Sequence, residues 1–180
     1  MRVFLYFLVL ICIASCKNEK EEQKLLTNDD TKTTYYLIRH AEKDRSDSTK
    51  VNPDLTAKGF ERAKHWASYF DSIPLERVYS TNYLRTSNTA SYTAAAQKLM
   101  VDIYDTDTLI SENFLKQNQG HNILIVGHSN TVPGIANKLL ESNQYENMND
   151  SDNSSLYVVS IEGNNKKSSI RKVELEQKEE

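Results

Sequence analysis

The sequence predicts an α/β domain, a three-layer sandwich in which a mostly parallel sheet lies between helices on its two faces. Two observations carry that expectation. From Thr34 onward, short apolar runs alternate with longer stretches of helical periodicity, the order of a parallel sheet with crossover helices. With 38% hydrophobic and 26% charged residues in a chain of 180, there is enough apolar material for one core and one domain.

The elements follow in order. "TYYLIR", ending at Arg39, is a short apolar strand, and its tyrosines, Tyr35 and Tyr36, read as sheet packing. "LTAKGFERAKHWASYFDS" places Phe60, Ala63, Ala67 and Phe70 on one helical face, with Thr56 as the N-cap. "RVYST" is a second strand, and "NYLRTSNTASYTAAAQKLM" is helical by its alanines and leucine spacing. "VDIYD" is a third strand, followed by "TLISENFLKQNQG", a helix that stops at Gly120. "NILIVGH" is the fourth and most apolar strand. "TVPGIANKLLES" is a helix whose Pro133 sits in the first turn, where its missing N–H costs nothing. "SSLYVVSIEG" and "SSIRKVELEQ" form a terminal hairpin across "NNKK".

The N-terminus is of another kind. "MRVFLYFLVLICIASC" has one early positive charge, an apolar run from Val3 to Ile13 and small residues before Cys16. The run is short for a bilayer span and has the layout of a secretory signal. "IASC" resembles the lipobox of bacterial lipoproteins, which implies cleavage before Cys16 and lipidation of that cysteine. The expected organisation is a signal peptide over 1–15, a lipidated cysteine and polar tether over 16–33, and the folded domain over 34–180. That places the protein in the bacterial cell envelope, held to the membrane by a lipid anchor alone, with the periplasmic or surface face left open. Cys12 and Cys16 are the only cysteines, so the mature domain has no thiol nucleophile and no disulfide, and it has too few closely spaced His and Cys for structural zinc. The net charge of −3 gives no global basic field for nucleic acid.

In parallel sheets, ligands collect beyond the carboxyl ends of the strands. The first strand delivers Arg39 and His40 to that edge. The second delivers Ser80 and Thr81, with Arg85 one turn into the next helix. The third ends near Asp105 and Asp107, and the fourth at Gly127 and His128. Two guanidinium forks and a histidine make a compact cationic pocket for a phosphoryl group. A second histidine, neutral near pH 7, is suited to attack phosphorus, after which water would hydrolyse the phosphohistidine. His65, inside a helix beside Trp66, and His121, after Gly120, read as structural or surface residues.

"LIRHAEK", followed by "LTAKGFERA", "VYSTNYLRTSNTA" and "ILIVGHSNT", resembles the histidine phosphatase superfamily, with its phosphoglycerate-mutase-like fold, from about Tyr35 to Thr131. The resemblance implies that His40 is the phosphorylated nucleophile and that Arg39, Arg85 and His128 bind the phosphoryl group, with Asn130 beside His128. Thr89 and Ala90 complete the R-x-x-x-T-A stretch. It further implies a phosphohydrolase without cofactor or metal, acting on a phosphorylated small molecule or a phosphoprotein.

Two departures bear on mechanism. The family's glycine after the nucleophile is Ala41, which serves if only its carbonyl is needed. No carboxylate follows His128 closely, so the general acid falls to Asp105, the carboxylate nearest the third strand's end, with Asp107, Glu112 and Glu42 as alternatives. Glu42 could equally orient an arginine or pair with Lys43. Without an obvious acid, leaving groups that need little protonation, such as phosphohistidine or acyl phosphate, suit the site best. The polar stretch "ESNQYENMNDSDNSS" is expected to form one rim of an open pocket. The rival expectations are a binding module that holds a phosphorylated ligand and turns it over poorly, and a structural envelope lipoprotein.

Overall fold

The computed structural model describes residues 31–175, which belong to one compact unit beginning at Thr31. The expected signal segment, Cys16 and nearly all of the tether lie outside the described residues. In chain order the elements are β1 (Thr33–Arg39), α1 (Ala57–Phe70), β2 (Arg77–Ser80), α2 (Leu84–Ala96), β3 (Val101–Ile103), α3 (Glu112–Gln117), β4 (Asn122–Gly127), α4 (Thr131–Leu140), β5 (Ser155–Glu162) and β6 (Asn165–Lys172). Thr33, assigned above to the tether, is the first residue of β1. No helix among the described residues is long and apolar enough to cross a membrane.

The six strands form one sheet in the order β3-β2-β4-β1-β5-β6. The first four are mutually parallel, while β5 runs antiparallel to both β1 and β6. Alternation along the central strands divides the core into two layers. Tyr35 and Leu37 of β1 and Ile123 and Ile125 of β4 pack with Phe114 of α3 and Ile135 and Leu139 of α4. Ile38, Leu124 and Val126 pack on the opposite face with Trp66 and Phe70 of α1 and Ala90 and Ala94 of α2. The three-layer sandwich is therefore present, with four parallel strands and an antiparallel hairpin at one side.

Two local expectations are corrected. The buried face of α1 is made by Gly59, Arg62, Ala63, Trp66 and Phe70. Trp66 takes the place expected for Ala67, because position 66 is in helical register with Gly59, Ala63 and Phe70 and faces Ile38, Leu124 and Val126 of β1 and β4. The hairpin turns at Gly163–Asn164 and Glu162 faces Asn165, so Asn165, Lys166 and Lys167 lie within β6 rather than in the connection. Gly163 has a φ of 54°, the conformation that lets the chain reverse in so short a loop.

The order of the strands decides which ends meet. β4 lies between β2 and β1, with Arg39 beside Gly127 and Ser80 beside Val126. Their carboxyl ends are thus level within about one residue. β3 is an edge strand, separated from β1 by β2 and β4.

Candidate active site

Arg39 and His40 leave the end of β1 almost wholly buried, at 2% and 3% exposure. The His40 N–H donates to the Gly127 carbonyl at 2.9 Å, continuing the β1–β4 ladder one residue past the strand. Its ring Nδ1 lies 2.7 Å from the Ala41 carbonyl oxygen. A carbonyl can only accept, so Nδ1 carries the proton and Nε2 keeps a free lone pair. Alanine serves here in place of glycine because only its backbone is used, and its φ is negative. Ala41 in turn donates its N–H to Thr89 Oγ1 at 2.9 Å, and Thr89 Oγ1 donates to the Arg85 carbonyl at 2.7 Å. One threonine of α2 thus ties the segment after His40 to the turn that carries Arg85.

His128 follows β4, where its N–H donates to Thr131 Oγ1 at 2.8 Å. A Cβ on Gly127 would crowd that hydroxyl and the Tyr104 Oη, which accounts for a glycine before the histidine. His128 Nε2 lies 2.9 Å from Thr81 Oγ1, which contacts Thr86 Oγ1 at 2.9 Å, and Thr86 donates to the Thr81 carbonyl at the same distance. The Arg85 guanidinium, held over the Tyr83 ring at 4.4 Å, approaches His128 Nδ1 at 3.5 Å. Arginine only donates, so the chain is consistent with a proton on Nε2 and a lone pair on Nδ1. The two imidazoles are 5.5 Å apart, centroid to centroid.

Burial drives the pKa of His40 down to about 3, with the neighbouring Arg39, His128 and Arg85 adding to the fall and the Ala41 carbonyl opposing it. Burial, then Arg85, Arg39 and Lys43, take His128 down to about 4. Both rings are neutral near pH 7, which for His40 is the nucleophilic form.

Arg39 is gripped by the loop before β5. Its NH1 donates to the carbonyls of Asn149, Asp150 and Asp152 at 3.1, 2.6 and 3.3 Å, and its NH2 donates to Asp150 Oδ1 at 2.5 Å. Asp150 Oδ2 accepts from Arg45 NH2 at 2.5 Å. Asn153 Nδ2 of the same loop donates to the His40 carbonyl at 2.8 Å. The expected polar rim is therefore real and does more than border the pocket, because it holds the backbone and side chain of the Arg39–His40 pair. Nε of Arg39 and Nε of Arg85 are both buried without a hydrogen-bond partner.

The structure brings Arg39, His40, Arg85 and His128 together. It does not bring Asp105 into contact with them. Asp105 is exposed, and its Oδ1 accepts from the Asp107 N–H at 3.0 Å and from the Thr108 hydroxyl at 3.4 Å, closing its own turn. Its strand lies at the sheet edge, so proximity to a strand end does not mean proximity to His40. Asp107 and Glu112 are also exposed. Asn130 caps α4 through its backbone, is exposed, and its side chain makes no capping bond. Glu42 is held by Arg62, whose Nε lies 2.9 Å from both carboxylate oxygens and whose NH2 lies 2.8 Å from Oε1. His65 and His121 lie outside the cluster, partly buried. No carboxylate among the described residues bonds to either site histidine.

Asp150, Asn153 and Arg45 are the residues that sequence reasoning missed. Asp150 sits in a stretch of six Asn and Asp residues with no periodicity to single it out, and only the return of that loop to β1 distinguishes it.

The model of the histidine phosphatase superfamily (branch 1) matches residues 35–114, a span that includes Arg39, His40, Arg85, Thr89 and Ala90 and ends before His128. The chain is similar to the lipopolysaccharide core heptose(II)-phosphate phosphatase of Salmonella paratyphi B, at 34% identity over 109 residues covering 56% of this chain and 54% of that protein. It thus spans about half the length of the curated relatives it matches. Among solved structures it resembles the protein histidine phosphatase SixA complexed with tungstate, with a TM-score of 0.62, 17% identity and coverage of 77% of this chain and 96% of that one. It also resembles phosphoglycerate mutase from Bacillus anthracis, with a TM-score of 0.60, 15% identity and coverage of 81% and 94%. The fold is phosphoglycerate-mutase-like. The family model matches 80 of the 180 residues, the part of the chain that carries Arg39, His40 and Arg85, and the structural neighbours share the fold.

Proposed function

We propose that the protein is a phosphohydrolase that works through a phosphohistidine on His40. The observation that carries this reading is the hydrogen bond from His40 Nδ1 to the Ala41 carbonyl, which leaves a neutral Nε2 lone pair on a ring that lines a cavity with Arg39 and lies 5.5 Å from the His128 ring beside Arg85. In the first step Nε2 attacks phosphorus and the bond to the leaving oxygen breaks. In the second, water attacks the phosphohistidine, the P–N bond breaks and phosphate leaves with the imidazole restored. Arg39 and Arg85 offset the charge on the equatorial oxygens, and His128 donates to the phosphoryl group once the anion has raised its proton affinity.

The carboxylates nearest the histidines along the chain and in the pocket, Glu42 and Asp150, are both held by arginines. That favours leaving groups that depart with little protonation, and among esters those with acidic alcohols. A relative named as a lipopolysaccharide core heptose(II)-phosphate phosphatase and a structural neighbour named as a protein histidine phosphatase support a phosphorylated small molecule or a phosphoprotein as the substrate. The signal-like start and Cys16 support a lipid-anchored protein of the bacterial envelope. The same shortage of a free acid favours a second reading, a module that binds a phosphorylated ligand and turns it over slowly.

Hydrolysis of 4-nitrophenyl phosphate by the chain from Thr31 onward, with His40→Ala beside it, tests the reading. Turnover in the parent that is absent in the variant supports the enzyme. Vanadate binding without turnover in the parent puts the binding module first.

A further inference from the structure

We propose that Lys43 and Arg45 form a second anion seat beside the phosphoryl pocket, so that the preferred ligand is a phosphoryl compound bearing another negative group, a carboxylate or second phosphate, close by. The inference rests on the phosphoryl-binding reading of the pocket and narrows its ligand class.

A cavity of about 400 Å³ runs outward from Arg39 and His40 along Lys43, Arg45 and Lys58. Its charges do not balance. Glu42 is taken by Arg62, Asp150 is shared between Arg39 and Arg45, and Glu174 accepts from the Ser154 hydroxyl. Among the described residues neither Lys43 nor Lys58 has an ion-pair partner. Lys43 is only partly exposed, and its pKa is lowered by burial first, then by Arg45, Arg85 and Arg39, with Asp150 opposing. A cation pressed against other cations in a partly dry wall is disfavoured unless an anion joins it. Nor is Lys43 on a loose tip. Its backbone bridges to Leu55, and the Asp44 N–H donates to the Asp54 carbonyl at 2.8 Å, so the ammonium is presented from a fixed base.

Asp150 gives the scale of the seat. One of its carboxylate oxygens meets Arg39 and the other meets Arg45, each at 2.5 Å, so a single small oxyanion spans both guanidiniums. The Asp150 side chain is 65% exposed at a loop tip, whereas Arg39 is buried. A ligand with two linked anionic groups can therefore place one against Arg39 and His40 and the other against Arg45 and Lys43, all of which line the one cavity.

Two non-hydrolysable probes separate the seats: methylphosphonate, with one anionic group, and phosphonoacetate, with a phosphonate and a carboxylate. Their dissociation constants are measured by calorimetry on the parent, on Lys43→Met/Arg45→Met and on Lys64→Met/Lys116→Met, which removes equal charge from residues that do not line the cavity. The expected result is phosphonoacetate at least about tenfold tighter than methylphosphonate in the parent and the Lys64/Lys116 variant, a preference that shrinks to about twofold in the Lys43/Arg45 variant. Equal affinities in the parent, or a preference that survives loss of Lys43 and Arg45, overturn the second seat while leaving the phosphoryl pocket intact. Failure of both probes to bind overturns the pocket reading itself. Because neither probe reacts, these outcomes do not depend on turnover.

Discussion

Two arginine–carboxylate pairs flank His40, and they differ in the one respect that matters. In the Arg62–Glu42 pair both side chains are enclosed, at 6% and 20% exposure, and one guanidinium satisfies both carboxylate oxygens. The Glu42 carbonyl also accepts from Thr56 N–H and Thr56 Oγ1 at the N-cap of α1, and a Cβ on Gly59 would overlap it. This pair locks the segment after His40 onto α1 and leaves nothing to exchange. In the Arg39–Asp150 pair the arginine is buried and its carboxylate partner rides on an exposed loop. Three backbone carbonyls keep NH1 oriented whether or not the carboxylate is there. The same interaction type thus holds the fold on one side of His40 and presents an exchangeable guanidinium edge on the other.

The comparison can be broken most severely at Arg85, a site arginine that has no carboxylate partner among the described residues. Arg85→Ala is expected to lower kcat/KM by about 10²–10³-fold on an aryl phosphate, the scale for losing a transition-state charge partner, with little change in melting temperature. An activity loss matched by unfolding would make Arg85 structural. Glu42→Ala should do the reverse. It leaves Arg62 buried without its counter-charge and should cost about 3 kcal/mol of stability by urea denaturation. A stability change under about 1 kcal/mol would show that the pair is not the lock described.

A third expectation concerns pH. His40 and His128 titrate at about 3 and about 4 in the folded protein, below the ordinary 6.5, because burial disfavours the imidazolium. The unfolded chain therefore binds these protons first. The stability they contribute is complete above pH 6.5 and is lost as pH falls toward 4 and then 3. The slope is at most about 1.4 kcal/mol per pH unit for His40 and smaller for the more solvated His128. Melting curves from pH 7 to 4 should fall more steeply for the parent than for His40→Gln/His128→Gln, and parallel curves would contradict the assignment. The smallest effect belongs to Asp150→Asn, which removes the exchangeable carboxylate and keeps the three carbonyls. Stability should change by less than about 1 kcal/mol, and vanadate affinity should rise about two- to fivefold as a competing negative charge disappears. A fall in affinity would mean that Asp150 orients Arg39 rather than competing for it.

Much of this was legible in the sequence because the parallel strands deliver side chains by local rules. Arg39, His40 and His128 follow apolar runs, Arg85 enters with its helix, and Thr56 caps α1 as a threonine before a helical pattern should. The misses are non-local. Asp105 follows a strand as His128 does, but β3 pairs only with β2 at the sheet edge, and strand order is not written in any one segment. The partner of Glu42 is Arg62, twenty residues on, and the partner of Arg39 is Asp150, more than a hundred residues on. On α1 the spacings 63/67/70 and 63/66/70 are both helical, and the adjacent positions 66 and 67 are told apart only by which one faces the sheet.

The most direct measurement is mass spectrometry of the protein quenched during turnover of an aryl phosphate and kept at alkaline pH, where phosphohistidine survives. The account predicts one added phosphoryl group on the peptide containing His40, lost on acid treatment and absent from His40→Ala together with turnover. Turnover that persists in His40→Ala, with no phosphorylated His40 peptide in the parent, would contradict it.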